Sequence, residues 1–477
     1  MSKQIHFNAF EMNCVAHQSP GLWRHPRDRS WEYKDLEYWT DLGKILEKGI
    51  FDSIFIADVI GYYDVYKGGN YFALQQGAQI PVNDPLQLAA PLALATKHLG
   101  IGITASTSFE HPYTFARRLT TLDHHTKGRV GWNIVTSYLE SGAKNISEGG
   151  LRRHDNRYDV ASEYLEVIYK LLEGSWEDGA VVRDRERGIF AHPEKVHEIG
   201  HKGKYFEVPG YHLSEPSPQR TPVLFQAGAS GKGKLFAAQH AECVFVAAPT
   251  KDVLKKYVQE VREQAAEAGR DPKKVLIYNL VTIIVDETDE KAQAKFKEYQ
   301  QYASYDGSLV FMSGWTGIDF GQYAPTDLVK HVETNAIVSA VEHLAGGGKT
   351  WTIDELAKFG GIGGLGPIFV GSPTTVANIL QEWVAETDTD GFNLAYAVAH
   401  ETFEDIVEYL VPELQRRGVY ATEYKEGTLR QKLFGDGDRL PSNHPANQYR
   451  DIEKYKQEHP IDGSLFSQQR VEERATA

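Results

Sequence analysis

Six polar side chains stand where apolar runs end. Asp58 follows FDSIFIA (51–57), Thr104 and Ser106 lie late in LGIGITASTS (99–108), and Asn133, Thr136 and Ser137 lie late in GRVGWNIVTS (128–137). Gathered on one rim, these carboxyl, amide and hydroxyl groups would suit cofactor or substrate binding; taken singly, each reads equally as a strand-end cap. His154-Asp155-Asn156-Arg157-Tyr158 would bring an imidazole and a phenol to a helix start, although Asp155 or Asn156 also reads as an ordinary N-cap. Imidazole titrates near neutrality, so His154 is the preferred proton-handling residue. Cys14 and His17 follow the first apolar run; two such residues are too few to define a metal site.

Two further motifs carry a sharp reading and a plain one. His197-Glu198-Ile199-Gly200-His201 fits the H-E-x-x-H pattern of a zinc hydrolase, which needs both imidazoles on one face of a helix. Gly200, Gly203 and the alternation of KVHEIGHKGKYFEVPG (195–210) predict two strands around a turn, with no suitably spaced third ligand. The zinc hydrolase is therefore the disfavoured reading, and no metal is assigned. Gly228 to Leu235 reads GASGKGKL, a G-x-x-x-x-G-K run with Leu where a nucleotide-triphosphate site needs Ser or Thr for Mg²⁺. Free N–H groups and the dipole of a following helix still suit a monophosphate there; the plain reading is a tight strand-to-helix turn.

The elements that must position these residues alternate along the chain. Short β-branched runs (5–12, 51–59, 99–108, 128–137, 221–228, 242–249, 275–285, 367–371 and 391–398) are interleaved with helical periodicity. Near the end, Phe403, Ile406, Val407, Leu410, Val411 and Leu414 form one apolar stripe. Roughly eight strand–helix pairs with continuous apolar strands predict a (β/α)₈ barrel, whose active site forms at the carboxyl ends of the strands. Residues 1–418 read as that single domain, with insertions at about 176–220 and 305–365 expected to form lids or substrate walls, and 419–477 as a polar C-terminal extension. Aromatic side chains crowd the expected loops, Tyr63 and Trp315 among them, as an apolar cleft or a planar cofactor would require.

Composition narrows the class. The 477 residues carry 51 Lys and Arg against 65 Asp and Glu, a formal charge of −14, which argues against a nucleic-acid partner. No apolar run approaches the roughly 18–20 residues of a membrane span. MSKQIHFNAF lacks the features of a secretory signal, and two cysteines, Cys14 and Cys243, suit a reducing compartment. A cytoplasmic enzyme is expected.

The segments HFNAFEMNCVAHQSPGLWRHP (6–26), FDSIFIADV (51–59), SFEHPYTFARRLTTLDHHTKGRVGWNIVTS (108–137), HDNRYDVASEYLEV (154–167), EPSPQRTPVLFQAGASGKG (215–233) and DGFNLAYAV (390–398) resemble the bacterial-luciferase superfamily. Within it they are similar to the oxygenating subunits of two-component flavin monooxygenases, in the branch acting on nitrilotriacetate, dibenzothiophene sulfone, long-chain alkanes and dimethyl sulfide. The resemblance implies a TIM-type barrel with FMN at the carboxyl ends of its strands. Asp58 would lie near the flavin edge, Thr104 and Asn133 near the ring or ribityl chain, and Ser137, Tyr158 and the backbone of Ala227, Gly228, Ala229 and Ser230 at the phosphate. Cys14, His17, Tyr63 and Gln79 match pocket positions of the alkane-oxidising members, whereas two positions that are His there are Tyr138 and Phe311 here. Segments 313–320, 361–371 and 391–400 look most like the dimethyl sulfide-oxidising members.

What the resemblance implies is an FMNH₂- and O₂-dependent monooxygenase working through a flavin C4a-peroxide on a small apolar or organosulfur substrate. It also implies an NAD(P)H-dependent FMN reductase as flavin donor and a homodimer or homotetramer. Cys14, His17, Tyr63 and His154 would act at the reacting centre, with Gln79, Phe311 and Trp315 in the substrate pocket. Alternatives within the branch are a long-chain alkane, a sulfone, a polyaminocarboxylate, or riboflavin cleaved by a flavin-dependent lyase. The other classes are the disfavoured zinc hydrolase through His197 to His201 and a non-catalytic flavin-binding protein.

Overall fold

The computed structural model describes residues 3–146, 150, 154–228, 231–329 and 351–459, except the side chains of His154 and Asp155. Eight parallel strands close into a ring: β1 His6–Met12, β2 Ser53–Ala57, β3 Gly100–Ser106, β4 Val130–Val135, β5 Val223–Gln226, β6 Cys243–Val246, β7 Leu276–Val285 and β8 Gly391–Ala395. β1 pairs with both β2 and β8, and β6 pairs with β7, so no edge remains in the ring. The run at 367–371 lies outside this ring. Its strand, Ile368–Gly371, pairs only with the far end of β7, from Thr282 to Val285. β7 is ten residues long and outreaches its ring neighbours, which leaves its last residues free to take a ninth strand.

Helices cover the outside: α1 Leu36–Lys48, α2 Ala89–Ala95, α3 Pro112–His125, α4 His154–Tyr169, α5 Gly231–His240, α6 Lys251–Glu267, α7 Asp289–Gln300 and, after α8 Tyr305–Thr316 at the carboxyl end, α9 Pro373–Thr387. Their starts follow side-chain chemistry. Thr250, Thr288, Ser304 and Ser372 each accept a backbone N–H of the first turn, and Pro112 and Pro373 open helices where no N–H is needed. The terminal stripe from Phe403 to Leu414 is buried throughout, on a helical run whose middle, Ile406–Leu410, is a π turn.

The inward side chains form a layered core. Phe55, Phe225, Phe245 and Tyr278 pack with Val223 and Cys243, and Leu429 and Leu433 close this cluster from below. Both leucines belong to α10, Leu429–Phe434, held by Leu429 N–H donating to the Gly128 carbonyl at the amino-terminal end of the barrel. Residues 419–459 thus return to their own barrel. Arg430, fully buried, makes two bonds to the Glu242 carboxylate, at 2.6 and 2.8 Å, and donates to the Thr221 carbonyl. Glu173, also buried, accepts from Arg439 and Arg450.

The two insertions differ in place. Residues 176–220 precede β5 and run along the outer faces of α3 and α4, folded into two short hairpins, Val181–Asp184 with Ile189–Ala191 and His201–Lys202 with Glu207–Val208. They form no wall of the cavity described below. The insertion after β7 does lie at the carboxyl end. There α8 builds a second small core with Tyr63, Tyr66, Ala73 and Leu139 from the loops after β2 and β4.

Candidate active site

The carboxyl ends of the strands open on a cavity of about 360 Å³. Its floor is apolar, from Phe10, Met12, Phe55, Phe245 and Leu280. Alternation puts these inward, because residues two apart on a strand share a face. Polar side chains ring that floor: Asp58, Thr104, Asn133, Gln226 and Asn393. Thr104 and Asn133 are direct neighbours in the β3–β4 register. The Thr104 hydroxyl donates to the Ile56 carbonyl at 2.8 Å, and Asn133 Nδ2 donates to Thr104 Oγ1 at 2.9 Å.

Burial, and then the charge of Asp84, push the Asp58 carboxyl up to about 7. His17 is buried edge-on against Phe10, with ring centroids 4.3 Å apart, and burial drives its imidazole down to about 3, so it is neutral at physiological pH. Cys14 does not reach the cavity. It is buried behind the wall, where desolvation and the Glu11 carboxylate push its thiol up, so it is held as an unreactive thiol.

A hydrogen-bonded knot closes one side. Tyr63 Oη donates to Gln79 Oε1 at 2.9 Å, lies 2.6 Å from Tyr138 Oη, and accepts from Trp315 Nε1 at 3.0 Å. Gln79 Nε2 donates to the His17 carbonyl at 2.8 Å. Trp315 stacks on Phe311, with centroids 5.2 Å apart and planes 10° from parallel. Gln79, Tyr138 and Trp315 therefore line the cavity, while Tyr63 and Phe311 stand behind them. Burial raises both phenols, Tyr138 to about 12, so both stay neutral.

The adjoining stretch of the rim, from Ser137 onwards, carries hydroxyl, guanidinium and backbone N–H groups that suit an anion. Ser137 has a left-handed backbone, φ 59°, and its Oγ lies 2.7 Å from Ser106 Oγ. Arg157 Nη1 donates to the Ser137 carbonyl, and Arg157 Nε has no protein partner. Tyr158, Ala227 and Gly228 complete this side at the start of α5. A β-carbon on Gly228 would come 2.8 Å from the Gly233 carbonyl oxygen, so only glycine permits this close turn. The Tyr257 hydroxyl donates to the Gly228 carbonyl at 2.6 Å. Ala229, Ser230 and the His154 side chain lie outside the described residues.

Phe10, Met12, Arg157, Gln226 and Asn393 belong to the site but were not singled out from sequence. Gln226 and Asn393 carry the signal that marks Asn133, an amide inside an otherwise apolar strand. The H-E-x-x-H run forms a strand and a loop, not a helix. His197 Nε2 meets Glu177 at 2.7 Å, and His201 lies between Glu163 Oε1 and Lys170 Nζ, at 3.3 and 3.2 Å. No group of three or more His, Cys, Asp or Glu placed to hold a metal occurs among the described residues.

Asn133 Oδ1, Gln226 Oε1, Asn393 Oδ1 and His17 Nδ1 are buried without protein partners. An unsatisfied buried polar atom costs roughly 1–3 kcal/mol, and four around one cavity mark the place of a polar-edged ligand. An apolar floor, a polar ring and a cationic, hydroxyl-bearing helix start match a flat cofactor carrying a phosphate, such as FMN.

The fold and site therefore define a barrel enzyme of the cofactor-binding class, with its chemistry at the carboxyl-terminal rim. The chain belongs to the luciferase-like monooxygenase family, whose model matches residues 10–390, and the expected class, a flavin-dependent monooxygenase, holds. It is 50% identical to the dimethyl-sulfide monooxygenase of Hyphomicrobium sulfonivorans, over 94% of this chain and 95% of that one. It is 49% identical to the long-chain alkane monooxygenase of Geobacillus thermodenitrificans, over 95% of this chain and 99% of that one. The crystal structure of a riboflavin lyase with modified FMN and riboflavin superimposes with a TM-score of 0.88 at 34% identity, covering 94% of this chain and 100% of that one. No helix among the described residues is long and apolar enough to cross a membrane.

Proposed function

We propose that this chain is the oxygenating component of a two-component system. It takes reduced FMN from a separate NAD(P)H-dependent flavin reductase and uses molecular oxygen to oxidise a small organosulfur or similarly apolar compound. Bound reduced FMN supplies two electrons, so that one atom of O₂ enters the substrate and the other leaves as water. Ser137, Arg157, Tyr158 and the Gly228 turn hold the phosphate end. Thr104, Asn133 and Asp58 orient the polar edge of the ring, and Phe10, Met12 and Phe245 exclude water beneath it. Asp58 is the carboxyl able to exchange a proton near neutrality, whereas His17 stays neutral and serves as wall.

The observation that carries the substrate class is the wall of Trp315, Tyr138, Gln79 and neutral His17. Among the described lining residues Arg157 is the one cation, and it is turned to the Ser137 carbonyl. A polyaminocarboxylate would find no counter-ions there, whereas a thioether or a short alkyl chain needs none. The two relatives of nearly equal identity make dimethyl sulfide the first substrate to try and an n-alkane the second.

The test is oxygen uptake by the anaerobically loaded FMNH₂ complex after mixing with aerated buffer. Substrate-dependent uptake with one oxygenated product per FMNH₂, faster for dimethyl sulfide than for an n-alkane, is expected. Failure to bind FMNH₂, or equal uptake with and without every substrate offered, overturns the reading.

A further inference from the structure

The chain holds five sulfur atoms, three in methionines and two in cysteines. Four lie among the described residues, and of these only that of Met12 belongs to a residue lining the cavity. Met12 ends β1, two residues after Phe10 and on the same inward face. Its register partner on β2 is Ala57, the residue before Asp58. Only 1% of Met12 is exposed, and among the described residues it joins no apolar core cluster, so its open side is the cavity. Met312, by contrast, is sealed in the second core with Phe311 and Leu356. Cys14 and Cys243 are buried away from the cavity.

Resting on the flavin and oxygen reading above, we propose that Met12 is a turnover-dependent modification site. Its thioether is oxidised to the sulfoxide when oxygen is activated in the cavity with no substrate to receive it. The Met12 side chain ends in CH₂–S–CH₃, a dialkyl sulfide like the substrate class proposed above, but fixed to the wall. In that step the Met12 sulfur bonds one atom of O₂ and the O–O bond breaks. The other atom leaves as water, with two protons and two electrons drawn from reduced FMN, which is left oxidised. Oxidation turns an apolar side chain polar, and a polar oxygen on a floor shared with Phe10, Phe55 and Phe245 is costly. Each modified molecule therefore holds flavin less tightly. Substrate, by taking the same oxygen atom, spares Met12.

The test gives aerated protein, in excess over FMN, a flavin reductase and NADH, without substrate and with catalase to clear peroxide from bulk solution. Peptide mass spectrometry then reads one added oxygen atom on Met12 and on Met312. Met12 should carry at least about tenfold more than Met312, rising with the FMNH₂ consumed, since susceptibility follows access to the oxidant. FMN affinity is the second readout. Wild-type protein should lose it several-fold over the treatment, whereas Met12→Leu, which nearly conserves volume, should keep its own starting value. Bound FMNH₂ with Met12 unmodified overturns the proposal, as does equal oxidation of the two methionines or equal loss of affinity in both proteins. Modification seen only when catalase is left out overturns it too, because the oxidant then comes from bulk solution. Protein that binds no FMNH₂ overturns the flavin reading itself, and with it this proposal.

Discussion

The Tyr63 ring lies directly against the backbone of Gly314, where a β-carbon would overlap the ring atoms. Gly314 sits in α8 and Tyr63 in the loop after β2, so a missing side chain on one element seats the central phenol of the knot on another. Gly314→Ala should displace Tyr63 and release Tyr138 and Trp315. Overpacking of this kind costs about 1–3 kcal/mol. Substrate-dependent oxygen uptake should fall at least about tenfold, a loss of roughly 1.4 kcal/mol in barrier terms. Steady-state kinetics beside a denaturation curve would check both.

Asp58 links stability to pH. Its carboxyl titrates near 3.8 when ordinary and about 7 in the fold. Between those values the folded state holds the extra proton, so stability falls as pH rises through this window and levels off above it. Asp58→Asn removes the charge. Its melting temperature in the flavin-free protein should match the wild type near pH 4, exceed it increasingly towards pH 7, and keep that advantage at pH 8. A constant offset across the range would count against a buried, proton-holding Asp58.

Arg430 and Glu242 predict a contrast between single and paired changes. Removing one partner of a buried ion pair leaves an uncompensated charge and costs about 3–5 kcal/mol. Arg430→Ala should therefore shift the urea midpoint strongly. Arg430→Met combined with Glu242→Met should recover most of the loss, because apolar replacement of both charges is often neutral.

The H-E-x-x-H run should be dispensable for chemistry. His197 is engaged with Glu177, away from the cavity. His197→Ala and treatment with a chelator should leave oxygen uptake within error of the untreated wild type. His201→Ala removes the imidazole between Glu163 and Lys170, which keep the Tyr205 and Phe206 N–H groups and Glu166 as partners, and should lower stability by about 1 kcal/mol. Zinc-dependent restoration of activity after chelation would contradict this assignment.

Gly228 offers a test of the proposed phosphate site. Gly228→Ala forces the turn away from the Gly233 carbonyl, and FMN affinity should drop about tenfold or more, the loss of one or two charge-assisted bonds. Affinity for riboflavin, which has no phosphate, should change little. Titrating both flavins against both proteins decides it.

Much of this molecule was legible along the chain. Apolar runs of strand length gave β1 to β8, and the stripe from Phe403 to Leu414 gave the covering helix, because burial on one face repeats with the geometry of the element. Asp58, Thr104, Asn133 and Ser137 were recognisable as rim residues by their place at strand ends. The insertion at 176–220 is expected as a wall of the site, yet it precedes a strand and packs on the outer faces of α3 and α4, so none of it lines the cavity.

Sequence by itself determined the barrel, its polar rim and the strand-to-helix turn at Gly228, since each depends on residue type within a short window; the enzyme class came from the family resemblance of segments spread along the chain. Tertiary structure alone decided that Cys14 stands behind the wall and His17 in it, that α10 closes the barrel from below, and that Tyr138 and Asn133 are tied to Tyr63 and Thr104. Those outcomes depend on partners far apart in the chain, such as Trp315 and Tyr63, 252 residues distant. Periodicity tells which side of an element is buried; only the packed fold tells which atoms meet there and which of them holds the proton.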